Sequence, residues 1–146
     1  MCAQIEEGNM LPERIVIDTN VILSYAISKK MVELTEVKSK FNIEIFSCEE
    51  LLHELLLAIE YPQVEKYFHK LERQRVISLF KSLATEIEID LRYDRLNDPK
   101  DNYLIDLAYA SKSNYLVTGD REVLLQKHVG KIQIISPAQF KKILNN

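Results

Sequence analysis

"RIVIDTNVIL", residues 14–23, sets three β-branched apolar residues, Ile15, Val16 and Ile17, directly before Asp18, Thr19 and Asn20. An apolar run without alternation reads as a strand covered on both faces, the habit of parallel sheets. The run ends on a carboxylate, and a buried charge is costly unless something compensates it. "TNVILSYAIS" then begins a helix at once, with Thr19 or Asn20 placed to cap it. The burial of Asp18 therefore depends on what the rest of the chain brings to the end of this strand.

Working outward, the alternation of strand and helix continues. "NIEIFS" (42–47) reads as a strand, and "SCEELLHELLLAIE" (47–60) as a helix opened by a capping box from Ser47 to Glu50. Pro62 breaks that pattern. "VEKYFHKLERQRVISLFKSLA" (64–84) continues as one long helix or a broken pair, and "TEIEIDL" (85–91) alternates as a third, shorter strand. "DPKDNYLIDLAYASKS" (98–113) is a helix whose start is rich in Asp, near the positive end of the helix dipole. "NYLVTGD" (114–120) is a strand and "REVLLQKHV" (121–129) a helix. Gly130 turns the chain into a last strand, "KIQIIS" (131–136), and a final helix, "PAQFKKIL" (137–144). This order predicts an α/β fold, a parallel sheet with helices on both faces and right-handed crossovers. Residues 1–13 read as a lead-in, and 14–146 as one domain.

Several classes are excluded. No apolar stretch approaches the roughly 18–20 residues of a membrane span, so no membrane partner is expected. "MCAQIEEGNMLPERI" is acidic and lacks the apolar core of a secretory signal. Cys2 and Cys48 form no metal spacing or disulfide framework, which fits reduced thiols and a cytoplasmic location. Three glycines leave no phosphate-cradling loop, His53, His69 and His128 have no zinc spacing, and Ser47 has no nucleophile elbow. The net charge of −3 is uneven. Residues 1–60 carry five basic and eleven acidic side chains, 64–84 five and two, 85–120 four and eight, and 121–146 five and one. Basic segments of this kind suit a polyanion and an acidic centre suits cations, although solvated helix faces give the same pattern.

The acids carry the chemistry. Asp18 and Asp120 each end a predicted strand, and in parallel sheets ligands bind outside the carboxyl ends of the strands. Asp101, with Asp98 as a weaker candidate, opens the helix before the Asp120 strand. Glu54 lies two turns into the helix after "FSC". Converging carboxylates raise one another's pKa unless a cation neutralises them. Mg²⁺ takes oxygen ligands from a few carboxylates plus waters, with Asn20 or Thr118 as neutral oxygen partners. Each acid also has a plain alternative. Asp18 can cap a helix, Asp101 can be an N-terminal helix acid, Asp120 a turn residue and Glu54 a solvated one. Glu49, Glu50 and Asp106 read as surface charges, and Cys48 as a small buried filler.

"VIDTNVIL", "SCEELLHEL", "DPKDNYLIDLA" and "LVTGDREVL", in that order and followed by "IISPAQFKKIL", resemble the PIN-domain nucleases. The likeness is greatest to small bacterial and archaeal PIN proteins classed as toxin components of toxin–antitoxin systems, and it covers about residues 14–144. It implies a three-layer α/β/α fold with a parallel sheet of about five strands, and dependence on Mg²⁺ or Mn²⁺. It implies that Asp18, Glu54, Asp101 and Asp120 are the catalytic, metal-holding acids, with Asn20 and Thr118 beside them and Ala108 as the helical Ala after Asp101. Many relatives carry Asp where this chain has Glu122. The expected reaction is hydrolysis of single-stranded RNA with one or two metal ions. Arg121, Lys127, Lys100 and Arg73 are candidates for the flanking phosphates. Tyr103 and Tyr115 either stack on bases or pack in the core. A cognate antitoxin and a second copy of the chain are the protein partners the likeness suggests. A haloacid-dehalogenase phosphatase would need Asp at position 20, where this chain has Asn. A non-catalytic RNA- or protein-binding PIN-like domain would be expected to lose one of the four acids, and none is missing.

Overall fold

The structure, a computed structural model, describes the backbone of residues 13–90 and 99–144 and the side chains of 13–90 and 102–144. In chain order the elements are β1 (Glu13–Ile17), α1 (Thr19–Ile27), α2 (Met31–Lys40), β2 (Ile43–Ser47), α3 (Glu49–Ala58), α4 (Pro62–Glu65), α5 (Lys70–Leu83), β3 (Ala84–Glu86), α6 (Pro99–Ala110), β4 (Tyr115–Val117), α7 (Arg121–Leu125), β5 (His128–Val129), β6 (Ile132–Ile135) and α8 (Pro137–Leu144). The sheet order is β3-β2-β1-β4-β6-β5. The first five strands in that order pair in parallel, and β5 pairs antiparallel with β6.

Ile15, Val16 and Ile17 are all buried. Successive strand residues point to opposite faces, so both faces of β1 are covered, as its unbroken apolar pattern requires. The α/β expectation therefore holds, with helices flanking a mostly parallel sheet. The chain winds from β1 outward through β2 to β3, then crosses to the other side of β1 for β4. That reversal is a topological switch point, and in open α/β sheets ligands bind outside the carboxyl ends of the strands at such a point, here β1 and β4.

Several local expectations are corrected. Asp18, not Thr19 or Asn20, caps α1. Cys48 is the N-cap of α3 and makes no side-chain cap bond, because β2 extends through Ser47, which registers with Glu86. The 64–84 segment is the broken pair, α4 and α5. The third strand is only Ala84–Glu86, extended by one bond from the Ile87 N–H to the Ser47 carbonyl at 2.8 Å. Helix α2 covers a stretch whose sequence pattern is weak; only Met31 and Leu34 of it are buried. The helix expected over 121–129 stops at Leu125, because Lys127 adopts φ 61° and His128–Val129 turns back as β5. Asp106 is not a surface charge. It is 8% exposed, on a helix whose neighbours Leu104, Ile105, Leu107 and Ala108 are all buried.

Gly130 leads the two-residue turn between β5 and β6 with φ 57°, a conformation glycine adopts without penalty. A Cβ there would lie 2.9 Å from the Tyr109 hydroxyl. Tyr109 is exposed and can swing away, so the backbone term dominates. Gly130→Ala is expected to cost about 1 kcal/mol in a denaturant melt; an unchanged midpoint would mean that the turn relaxes.

Candidate active site

The pairing of Ile17 with Val117 builds the site, because it sets the residues that follow each strand side by side. The ladder continues one step, the Asp18 N–H donating to the Val117 carbonyl at 2.9 Å. Asp18, 4% exposed, then meets Thr118, which is fully buried. The Thr118 hydroxyl donates to Asp18 Oδ2 at 2.7 Å and accepts the Asp120 N–H at 3.1 Å. The Asn20 N–H donates to Asp18 Oδ1 at 3.3 Å. Asp120 caps α7, its Oδ1 accepting from the N–H groups of Glu122 at 2.9 Å and Val123 at 3.2 Å. The cap role that sequence allowed to Asp18 is thus real, Asp120 is a helix cap rather than a turn residue, and these bonds fix both carboxylates beyond the ends of β1 and β4.

Burial pushes the Asp18 carboxyl above its ordinary range. The Thr118 hydroxyl and the Asn20 N–H pull it back, and the charges of Glu54 and Asp120 push it up further. Glu54 and Asp120 therefore lie within electrostatic reach of Asp18. Glu54 comes from α3 and is held by Tyr103 of α6, whose hydroxyl donates to Glu54 Oε1 at 3.0 Å and lies 3.5 Å from the Thr19 hydroxyl. Burial raises the Tyr103 pKa, with the Glu54 and Asp18 charges adding to the rise, so the phenol stays protonated and donates.

Asp18, Thr118, Asp120 and Glu54 thus share one edge of the sheet, and Asn20 joins through its backbone. Asp101 and Lys100 lie on α6, with their side chains outside the described residues, and Asp98 lies outside them altogether. Arg121 is exposed and follows Asp120 directly; Lys127 is exposed in the turn after α7. Arg73 is engaged elsewhere, with Glu60 at 3.6 Å and Glu65 at 3.5 Å from its guanidinium. Tyr103 is a core residue with a polar task rather than a stacking surface, and sequence gave no sign of its bond to Glu54 beyond its place two residues after Asp101. Cys48 is fully buried and its thiol is pushed up to about 12 by that burial, so it is no nucleophile at neutral pH.

The donor set suits a hard cation: carboxylate oxygens with no soft ligand, and one buried carboxyl whose ionisation a positive charge would favour. Among the described residues no three acids, His or Cys stand close enough to form a metal cage by themselves.

Residues 14–122 match the family model described as PIN domain. The uncharacterised protein MJ1680 of Methanocaldococcus jannaschii is 24% identical over 140 residues, spanning 94% of this chain and 90% of that protein. The crystal structure of PAE2754 from Pyrobaculum aerophilum matches 92% of this chain and 98% of its own, with a TM-score of 0.57 and 14% identity, which is a likeness of fold.

Proposed function

The chain belongs to the PIN domain family, a family of nuclease type, and from that membership we propose that it is an Mg²⁺- or Mn²⁺-dependent endoribonuclease acting on single-stranded RNA. The observation that carries the proposal is the register that seats Asp18 against Thr118 at the switch point, within the field of Glu54 and Asp120. Asp18, Asp120, Glu54 and Asp101 would hold the ion. When bound, such an ion would polarise a phosphoryl oxygen and lower the pKa of a bound water towards neutrality. The chain's own residues supply orientation. Thr118 holds Asp18 and the Asp120 backbone on one hydroxyl, and the start of α7 fixes the Asp120 carboxylate. Arg121 and Lys127, both exposed, are assigned to meet the phosphates flanking the cut, as is Lys100 from sequence. Arg73 would have to leave its glutamates to do so.

The motif likeness to toxin components supports a role as the toxin of a toxin–antitoxin pair, restrained by a cognate antitoxin and active in the cytoplasm. No helix among the described residues is long and apolar enough to cross a membrane. The test is a panel of RNA and DNA substrates with Mg²⁺, Mn²⁺ or a chelator. Cleavage of single-stranded RNA with either ion, and none with the chelator, is the expected result. Cleavage that survives the chelator would overturn the metal-dependent reading, and a preference for DNA would overturn the substrate.

A further inference from the structure

We propose that Tyr103 is a positioning residue, holding the Glu54 carboxylate at the carboxyl edge of the sheet through a hydrogen-bond chain that runs from Thr19 to Tyr103 to Glu54. The inference rests on the nuclease reading above and adds a residue to it. Glu54 is half-buried on α3, and its side chain has three rotatable bonds before the carboxylate. Left to itself, that carboxylate would turn towards solvent, away from the other acids.

Tyr103 prevents this. It is only 7% exposed, belongs to the hydrophobic core, and its hydroxyl reaches Glu54 Oε1 at 3.0 Å. A carboxylate only accepts, and a phenol has one proton, which is committed to Glu54. The longer contact at 3.5 Å therefore runs the other way, with Thr19 donating to the Tyr103 oxygen. Thr19 is itself buried and follows Asp18 directly. The chain thus ties together the start of α1, the first turns of α6 and the middle of α3, the segments that carry Asp18, Asp101 and Glu54. Partners of this kind, which orient a metal-holding group without touching the ion, typically change metal affinity or activity by about 10–100-fold when removed.

Tyr103→Phe removes the hydroxyl and keeps the ring, so the packing of α6 is retained. The experiment measures Mn²⁺ binding by calorimetry on metal-stripped protein, and kcat and KM on single-stranded RNA, for wild type, Tyr103→Phe, Glu54→Ala and the double variant. The expected result for Tyr103→Phe is Mn²⁺ binding weaker by about 10-fold and kcat lower by a similar factor, with KM unchanged. In the Glu54→Ala background the same change should have no further effect, because its partner is gone. Wild-type Mn²⁺ affinity and kcat in Tyr103→Phe would overturn the proposal and leave the nuclease reading standing. Additive losses in the double variant would also overturn it, since Tyr103 would then act on something other than Glu54. A wild-type protein that neither binds Mn²⁺ nor cuts RNA would overturn both.

Discussion

Asp18→Asn is expected to abolish cleavage and, in the metal-free protein, to raise the melting temperature. Asp18 is the acid most withdrawn from water among the described residues, and desolvation together with the Glu54 and Asp120 charges raises its pKa above 3.8. Asparagine has nearly the same shape, and its amide oxygen can keep one of the two hydrogen bonds, but it carries no charge to offer a cation. Losing a preorganised charge at a reacting centre costs on the order of 10²–10³ in rate, and the anchor of the whole cluster should cost at least that. Stability moves the other way. For an acid whose native pKa is raised, the native state binds more protons between the unfolded and native pKa values, so stability falls as pH rises through that window. The penalty is complete above the native pKa and absent below 3.8. Asp18→Asn removes it, so its advantage should be full at neutral pH and vanish near pH ~3, where Asp18 is neutral in both states. A gain of roughly 1 kcal/mol corresponds to about 2–4 °C in a chain of this size. Mn²⁺ should raise the melting temperature of wild type and leave the variant unmoved, since only wild type gains a ligand-binding native state. Undiminished cleavage by Asp18→Asn would remove the acidic centre from the mechanism, and a lower neutral-pH melting temperature would mean that the Thr118 and Asn20 bonds outweigh the desolvation.

How much of this was visible in the chain itself depends on the range of the interaction. The strand at residues 14–18 and the strand at 114–120 are short, β-branched and bounded by polar residues, so local pattern alone locates them. Their adjacency is not legible in this way, because alternation of strand and helix predicts a parallel sheet but not its strand order; only the register of Ile17 with Val117 sets them side by side. The carboxylates at strand ends were legible from the local pattern. Tyr103 was not, because its value lies in a bond to Glu54 across 49 positions, and no local period encodes which polar atom a buried ring will reach. Asp106 failed for a related reason. A charged letter in a helix is a surface residue on average, but α6 is covered on most of its sides, so the average does not apply. The short helix α7 was overextended because the left-handed turn at Lys127 falls on a residue with no preference for it, whereas Gly130 announced itself.

Thr118→Val should be the most damaging single substitution of an uncharged side chain at the site, although the two side chains have nearly the same volume. The hydroxyl at this fully buried position serves two groups, donating to Asp18 Oδ2 and accepting from the Asp120 N–H. Valine fills the space and answers neither, which is why the exchange is not conservative. A buried polar group left without a partner costs about 1–3 kcal/mol, more for a charged one; the Asp18 carboxylate is such a group and the Asp120 N–H is partly buried, so a loss of about 2–4 kcal/mol is expected. In a chain of this size that is about 5–12 °C of melting temperature. The pH dependence identifies the cause. Without its donor the Asp18 carboxyl is pushed still higher, so acidification neutralises it earlier and relieves most of the penalty. The deficit against wild type should therefore be largest at neutral pH and shrink as pH falls, which a simple packing defect would not do. Thr118→Ser, which keeps the hydroxyl and loses a methyl group, should cost about 1 kcal/mol or less and retain cleavage. If serine proves as damaging as valine, the methyl rather than the hydroxyl is what position 118 contributes. If both are harmless, the bond between the ends of β1 and β4 is not what holds Asp18 and Asp120 together. With the hydroxyl gone, the Asp18 carboxylate and the Asp120 backbone lose their shared anchor, so the stability loss and the fall in cleavage should appear in the same variant and be restored by the same oxygen atom.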